Sequence, residues 1–168
     1  VRQGLIERPS QGDSGVLVVG GGWLGVVHVT PFPPLRAAHS RMSDHSAMSG
    51  RVILFGATGY TGRLTARSLA QRGTTNTVLA GRNEAALHEL AAQLREEHDW
   101  DADIAVADVA NPGTVAALVN SSDDVLISTV GPFSVYGSPA IEAATSKGAI
   151  YIDSTGEPPF IRRVFEYY

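Results

Sequence analysis

The sequence has no cysteine, which excludes a disulfide framework and any thiolate metal site. Lysine is nearly absent too: Lys147 is the single one among 13 basic residues, the rest being arginine. With abundant Ala and Gly, that bias reflects a GC-rich coding sequence and not a mechanism. No block of like charge occurs, and 17 acidic against 13 basic residues leave a net charge of -4, with no electrostatic footprint for nucleic acid. Long apolar runs are missing: the stretch Val16 to Val27 is too short and too glycine-rich to span a membrane. Charged residues make up 18% of the chain, below the roughly 25% of an average domain, while the 43% hydrophobic content excludes wholesale disorder. The 168 residues allow one domain, or one with an appendage, and can bury a core without staples. The histidines His28, His39, His45, His88 and His98 show no ligand spacing, and Asp101 and Asp103 beside Glu96 and Glu97 read as a solvated acidic loop, so no metal is expected.

What is present divides near residue 48. Residues 1–47 hold Pro31, Pro33 and Pro34 and no sustained period, and are expected to form an irregular leader. From residue 48 to 168, short apolar runs alternate with helical patterns, the signature of βαβ units and a parallel sheet. The runs are Val52 to Phe55, Thr77 to Ala80, Ile104 to Ala107, Val125 to Val130 and Ala149 to Ile152. Between the second and third, Leu87, Leu90, Ala91 and Leu94 form an i, i+3, i+4, i+7 stripe behind Asn83, a good N-cap. Asn111-Pro112 and Ser138-Pro139 read as cap-plus-proline helix openings, Lys147-Gly148 as a helix stop, and Pro158-Pro159 as the start of a last helix. The fold class is therefore α/β: a Rossmann-like, doubly wound parallel sheet of about five strands, ordered 3-2-1-4-5.

Two glycine clusters follow apolar runs. Gly20-Gly21-Gly22-Trp23-Leu24-Gly25 matches G-x-G-x-x-G literally, and Gly56-Ala57-Thr58-Gly59-Tyr60-Thr61-Gly62 has G-x-x-G-x-x-G spacing. Phosphate binding needs a helix starting at the last glycine, whose free N–H groups and positive dipole end face the anion. Behind Gly25 comes a β-like and then proline-broken segment, so the first match reads as accidental. Behind Gly62 comes Arg63-Leu64-Thr65-Ala66, a competent helix. In the second cluster Gly56 permits the turn off the strand, Gly59 lets backbone approach phosphates, and Gly62 allows close helix–strand packing. Thr58 and Thr61 bring hydroxyl donors, although Thr also simply suits turns.

The end of the second strand selects the dinucleotide. An NAD site places an acid there for the ribose 2′-OH. Here the chain has Ala80-Gly81-Arg82-Asn83, with no acid before Glu84. A guanidinium at Arg82 matches a 2′-phosphate in charge and bidentate geometry, so NADP is favoured over NAD. A solvated surface arginine is the alternative. Asp108, at the end of the third strand, is either placed at the adenine edge or is a turn residue.

With Gly56–Gly62 and Ala80–Asn83, two further segments make the chain resemble the saccharopine dehydrogenase-like oxidoreductases, and also the trans-acting enoyl reductases, a branch acting on polyketide-derived lipids. Ser128-Thr129-Val130-Gly131-Pro132-Phe133 with Tyr136-Gly137 is similar to the family's segment along the ribose and nicotinamide half of the cofactor. Tyr151-Ile152-Asp153-Ser154-Thr155-Gly156-Glu157 is similar to its Y-x-D-x-x-G-E segment. The resemblance covers about residues 50–168 and implies hydride transfer with a nicotinamide cofactor. It implies cofactor contacts at Gly56, Thr58, Gly59, Tyr60, Thr61, Gly62, Arg82, Asn83, Asp108, Thr129, Val130, Gly131 and Pro132. Catalytic residues do not carry over. Such proteins continue into a second α/β domain, so this chain is expected to be truncated, holding the cofactor half and lacking most of the substrate half.

A short-chain dehydrogenase begins with a similar Gly-Ala-Thr-Gly, but its Tyr-x-x-x-Lys pair needs an ammonium four residues after a phenol, and Ala143 stands four residues before Lys147. A non-catalytic NADP-binding or sensing module is the alternative from another class. Tyr136 reads equally as a substrate contact or as packing, and Asp153 and Glu157 as ligand-facing acids or as caps of the next helix. The leader reads as an overextended start with Met42 or Met48 the true beginning, ahead of a signal peptide, whose positive start Glu7 and Asp13 spoil. The chain is expected to be cytoplasmic and without a membrane span. A missing sixth strand would leave the fifth near an open edge, favouring homo-oligomers.

Overall fold

The computed structural model of the chain describes residues 15–19, 25–29 and 50–168. Seven strands, β1 (Gly15–Val19), β2 (Gly25–Val29), β3 (Val52–Phe55), β4 (Thr77–Gly81), β5 (Asp103–Val106), β6 (Val125–Ser128) and β7 (Ile150–Asp153), form one sheet in the order β1-β2-β7-β6-β3-β4-β5. The five from β3 onward are all parallel and in the expected order, with the switch point between β3 and its neighbour β6. Among the described residues there are six helices: α1 (Tyr60–Gln71), α2 (Glu84–His98), α3 (Pro112–Ala116), α4 (Phe133–Tyr136), α5 (Ser138–Lys147) and α6 (Pro158–Tyr167).

The central runs of β3 and β4 are buried on both faces because helices cover both, while β5 at the edge stays partly exposed. Ile53, Phe55, Val78, Ala80, Leu126 and Tyr151 meet Val115, Ile141, Ala144, Phe160 and Val164 from α3, α5 and α6 on one side. On the other, Leu54 and Leu79 meet Ala66 and Ala70 of α1 and Leu87, Leu90 and Leu94 of α2. Local signals set the helix ends. The Asn83 side chain accepts from the Ala86 N–H to open α2, Pro112, Pro139 and Pro158 lie in first turns, and Gly148 stops α5 at φ +68°.

Two features differ from the sequence reading. Within the stretch read as an irregular leader, β1 and β2 pair with each other, and β2 pairs antiparallel with β7 through Val26–Asp153, Val27–Ile152 and His28–Tyr151. The edge of β7 expected to be open therefore carries a strand. The remainder of residues 1–49, including Met42 and Met48, lies outside the described residues. Residues from Gly25 to Val29 form a strand where a dinucleotide motif needs a helix, in keeping with an accidental match. The helix α3 ends at Ala116, and buried Leu118 and Val119 pack from the turn that follows it.

Candidate functional site

The carboxyl ends of β3, β4 and β6 open onto one cleft of about 530 Å³, at the switch point where such sheets bind ligands. Its floor is the turn from β3 into α1. Gly56 takes φ +88°, and a Cβ there would stand 2.7 Å from Thr129 Oγ1 and 2.9 Å from Val130 Cγ2. A Cβ on Gly62 would stand 2.1 Å from the Gly56 carbonyl oxygen, so only glycine lets α1 start this close to the strand. Gly56 and Ala57 both donate backbone N–H bonds to Ala80 O, at 2.9 and 3.1 Å, which fixes the turn to β4.

The beginning of α1 is bare. Gly59 is its N-cap residue with no side-chain cap, and the first turn holds no acid. The first N–H groups of a helix have no partner within it and carry the positive end of the dipole. Gly59 and Thr58 line the cleft, so this end faces the cavity. Tyr60 and Thr61 are exposed at the same helix start, and Gly62 is buried beneath it.

Arg82, directly behind β4, is exposed, lines the same cleft, and makes no hydrogen bond or ion pair with any described residue. Beside it, Asn83 spends its side-chain oxygen on capping α2, 3.1 Å from Ala86 N. Asp108 lines the cleft as well, and its carboxylate accepts from Ala110 N at 2.9 Å, as a turn residue's does. Ala107, Val109 and Ala110 make an apolar wall next to it that sequence reasoning had not singled out.

The opposite wall follows β6. Thr129 donates its hydroxyl to Phe55 O and Gly56 O at 3.0 and 3.1 Å, tying the wall to the floor. Val130, Gly131 and the half-exposed Tyr136 line the cavity. Pro132, joined to Gly131 by a cis peptide, is the N-cap residue of α4. The short α4 had no sequence signal beyond Pro132. Its first N–H groups, from Phe133 and Ser134, donate to Glu157 Oε1 and Oε2 at 2.6 and 2.9 Å. Glu157 thus caps a helix behind it in sequence, not the one ahead: α6 has no side-chain cap from it. Hydrogen bonds from the Ser134 hydroxyl and from the Ser134 and Phe133 N–H groups hold its carboxyl below the ordinary glutamate range, against a small opposing effect of desolvation.

Asp153, the last residue of β7, is 4% exposed, with Oδ1 accepting from Thr155 N at 2.9 Å. Burial raises its pKa, opposed by the hydrogen bond from Thr155 N. No group of three or more His, Asp or Glu able to hold a metal occurs among the described residues, and none of their helices is long and apolar enough to cross a membrane.

Residues 52–163 match the family described as the saccharopine dehydrogenase NADP binding domain. The trans-acting enoyl reductase of Mycobacterium ulcerans is 37% identical over 119 residues, 70% of this chain and 28% of that protein. That of Mycobacterium leprae is 39% identical over 113 residues, 66% of this chain and 26% of that protein. A short-chain dehydrogenase from Sphingobium yanoikuyae in complex with NADPH is 31% identical, covering 49% of this chain and 34% of the other, with a TM-score of 0.43. The chain spans about a quarter of the length of the curated relatives it matches.

Proposed function

The chain belongs to the saccharopine dehydrogenase NADP-binding domain family, its cofactor is NADP, and from that premise we propose how the cleft holds the dinucleotide. One observation carries the reading: an uncapped, acid-free helix start and an unpaired arginine open onto the same cleft. Arg82 holds the 2′-phosphate, with the Asn83 amide nitrogen beside it. The backbone N–H groups of Tyr60, Thr61 and Gly62 hold the pyrophosphate, Gly56 and Gly59 keep the floor bare, and the hydroxyls of Thr58 and Thr61 add donors. Asp108 meets the adenine edge. Thr129, Val130, Gly131 and Pro132 form the wall for the nicotinamide half, because the two halves of a dinucleotide lie on either side of the switch point.

When bound, the nicotinamide supplies or takes up a hydride. What these residues do is bind and orient it: Arg82 selects the phosphorylated ribose, and the Thr129 to Tyr136 wall limits where the ring sits. We infer a nicotinamide-dependent reductase, and the name of the curated relatives supports an enoyl group as its substrate. The same reading places its work in the cytoplasm.

Titration of the chain with NADPH and NADH, followed by quenching of tyrosine and tryptophan fluorescence, tests the assignment. NADPH is expected to bind more tightly. Arg82→Ala should weaken it by roughly tenfold or more, since a hydrogen bond to a charged group contributes about 1.5–3 kcal/mol, and should leave NADH unchanged. Equal affinity of the unaltered chain for both cofactors refutes the 2′-phosphate assignment.

A further inference from the structure

The cleft wall that follows β6 does not support itself. Its α4 is one turn long and has no cap from its own neighbourhood. Two groups hold it from outside, both from the segment after β7. Glu157 takes the N–H groups of Phe133 and Ser134, and Arg163 donates to Ser134 O at 2.9 Å while its guanidinium stands 5.8 Å from the ring centroid of Phe160. Glu157 is itself fixed to the sheet: its N–H donates to Thr155 Oγ1 at 3.1 Å, and Thr155 N donates to Asp153 Oδ1 at 2.9 Å. An unbroken series of hydrogen bonds thus runs from the end of β7 to the wall.

We propose that Glu157 is a positioning residue for the nicotinamide half of the cofactor, setting the placement of the Gly131 to Tyr136 wall through the Phe133 and Ser134 N–H groups. The inference rests on the cofactor orientation proposed above. A carboxylate suits the role because both of its oxygens accept. A glutamine in its place accepts with one oxygen and turns an amide N–H₂ toward a backbone N–H, so one bond becomes a clash of donors. The adenosine side of the cleft, at Arg82 and Asp108, has no hydrogen bond to this series and is left as it was.

The experiment compares two ligands on the full 168-residue chain: NADPH, and 2′-phospho-ADP-ribose, which has the same adenosine and pyrophosphate but no nicotinamide. In Glu157→Gln, NADPH affinity is expected to fall five- to tenfold while 2′-phospho-ADP-ribose binds within twofold of the unaltered chain. Ser134→Ala, a mild change that keeps the backbone donor and removes the hydroxyl, should show a two- to threefold loss for NADPH alone, and it decides the matter if Glu157→Gln fails to fold. An equal loss for both ligands means that Glu157 serves stability only, and no loss for NADPH means that the wall does not bear on the ring; either overturns the proposal. Should the unaltered chain bind neither ligand, the cofactor assignment itself falls, and this inference with it.

Discussion

At the scale of single residues, the site depends on an absence of atoms as much as on their presence. Gly62 shows this in the strictest form, because the nearest atom to an added Cβ is a backbone carbonyl, 2.1 Å away, which cannot rotate aside. Gly62→Ala must push the start of α1 away from the turn off β3. We expect a loss of about 1–3 kcal/mol of stability, the range for overpacking a filled site, read by urea unfolding. NADPH affinity should fall as well, since the displaced N–H groups are those assigned to the pyrophosphate. By contrast, a Cβ on Gly59 meets only the Gly56 carbonyl, at 3.4 Å. Gly59→Ala should therefore keep stability within about 1 kcal/mol, and its cost should fall on cofactor affinity.

At the scale of elements, Asn83 joins helix α2 to the site. Its oxygen opens the helix, and the proposed cofactor pose leaves its amide nitrogen for the 2′-phosphate. Asn83→Ala should cost about 1 kcal/mol of stability, as the loss of an N-cap does. Asn83→Asp keeps the cap and the stability, yet puts a negative charge next to the 2′-phosphate, so the ratio of NADPH to NADH affinity should drop; an unchanged ratio would remove Asn83 from the cofactor assignment. The cap was legible in the sequence because capping is local, three residues along the chain. So were the five parallel strands and their order, since each apolar run and each turn signal lies within its own βαβ unit. What was not legible is what crosses the fold. The bond of Glu157 to Phe133 and Ser134 spans 24 and 23 residues and carries no periodicity, so from sequence Glu157 read as a ligand-facing acid or as a cap of the helix it precedes. The strands β1 and β2 were missed for a related reason: their pairing with β7 is a contact between distant segments. The apolar wall of Ala107, Val109 and Ala110 reaches the cleft through sheet geometry alone.

At the scale of the molecule, the sheet carries opposed carboxylates at its two ends. Asp124, 1% exposed, sits at the amino ends of the strands, away from the cleft, and joins the start of β3 to the turn before β6. Burial pushes its pKa up, but hydrogen bonds from the Arg51 side chain and from the Asn120 and Arg51 N–H groups, with the charge of Arg51, outweigh that and bring it down to about 2. Its folded pKa lies below that of an unfolded aspartate, about 3.9. Its contribution is therefore full above that value and is lost as pH falls through about 2, and a shift of this size corresponds to about 2 kcal/mol. Asp153, at the cleft end, has the opposite sign. Burial raises its pKa, so the fold favours its protonated form, and stability is lost as pH rises through the raised value. Asn at 153 keeps an oxygen for Thr155 N and never ionises. Urea unfolding of the two variants between pH 3 and 8 should therefore diverge. Asp124→Asn loses about 2 kcal/mol or more at neutral pH, because the Arg51 guanidinium also loses its partner, and the difference from the unaltered chain narrows toward pH 2. Asp153→Asn should equal the unaltered chain in acid and exceed it at neutral pH. Because Asp124 is at the far end of the sheet, NADPH affinity at pH 7 should be unchanged in Asp124→Asn under conditions where it is folded, which separates the carboxylate that stabilises the scaffold from the residues of the cleft.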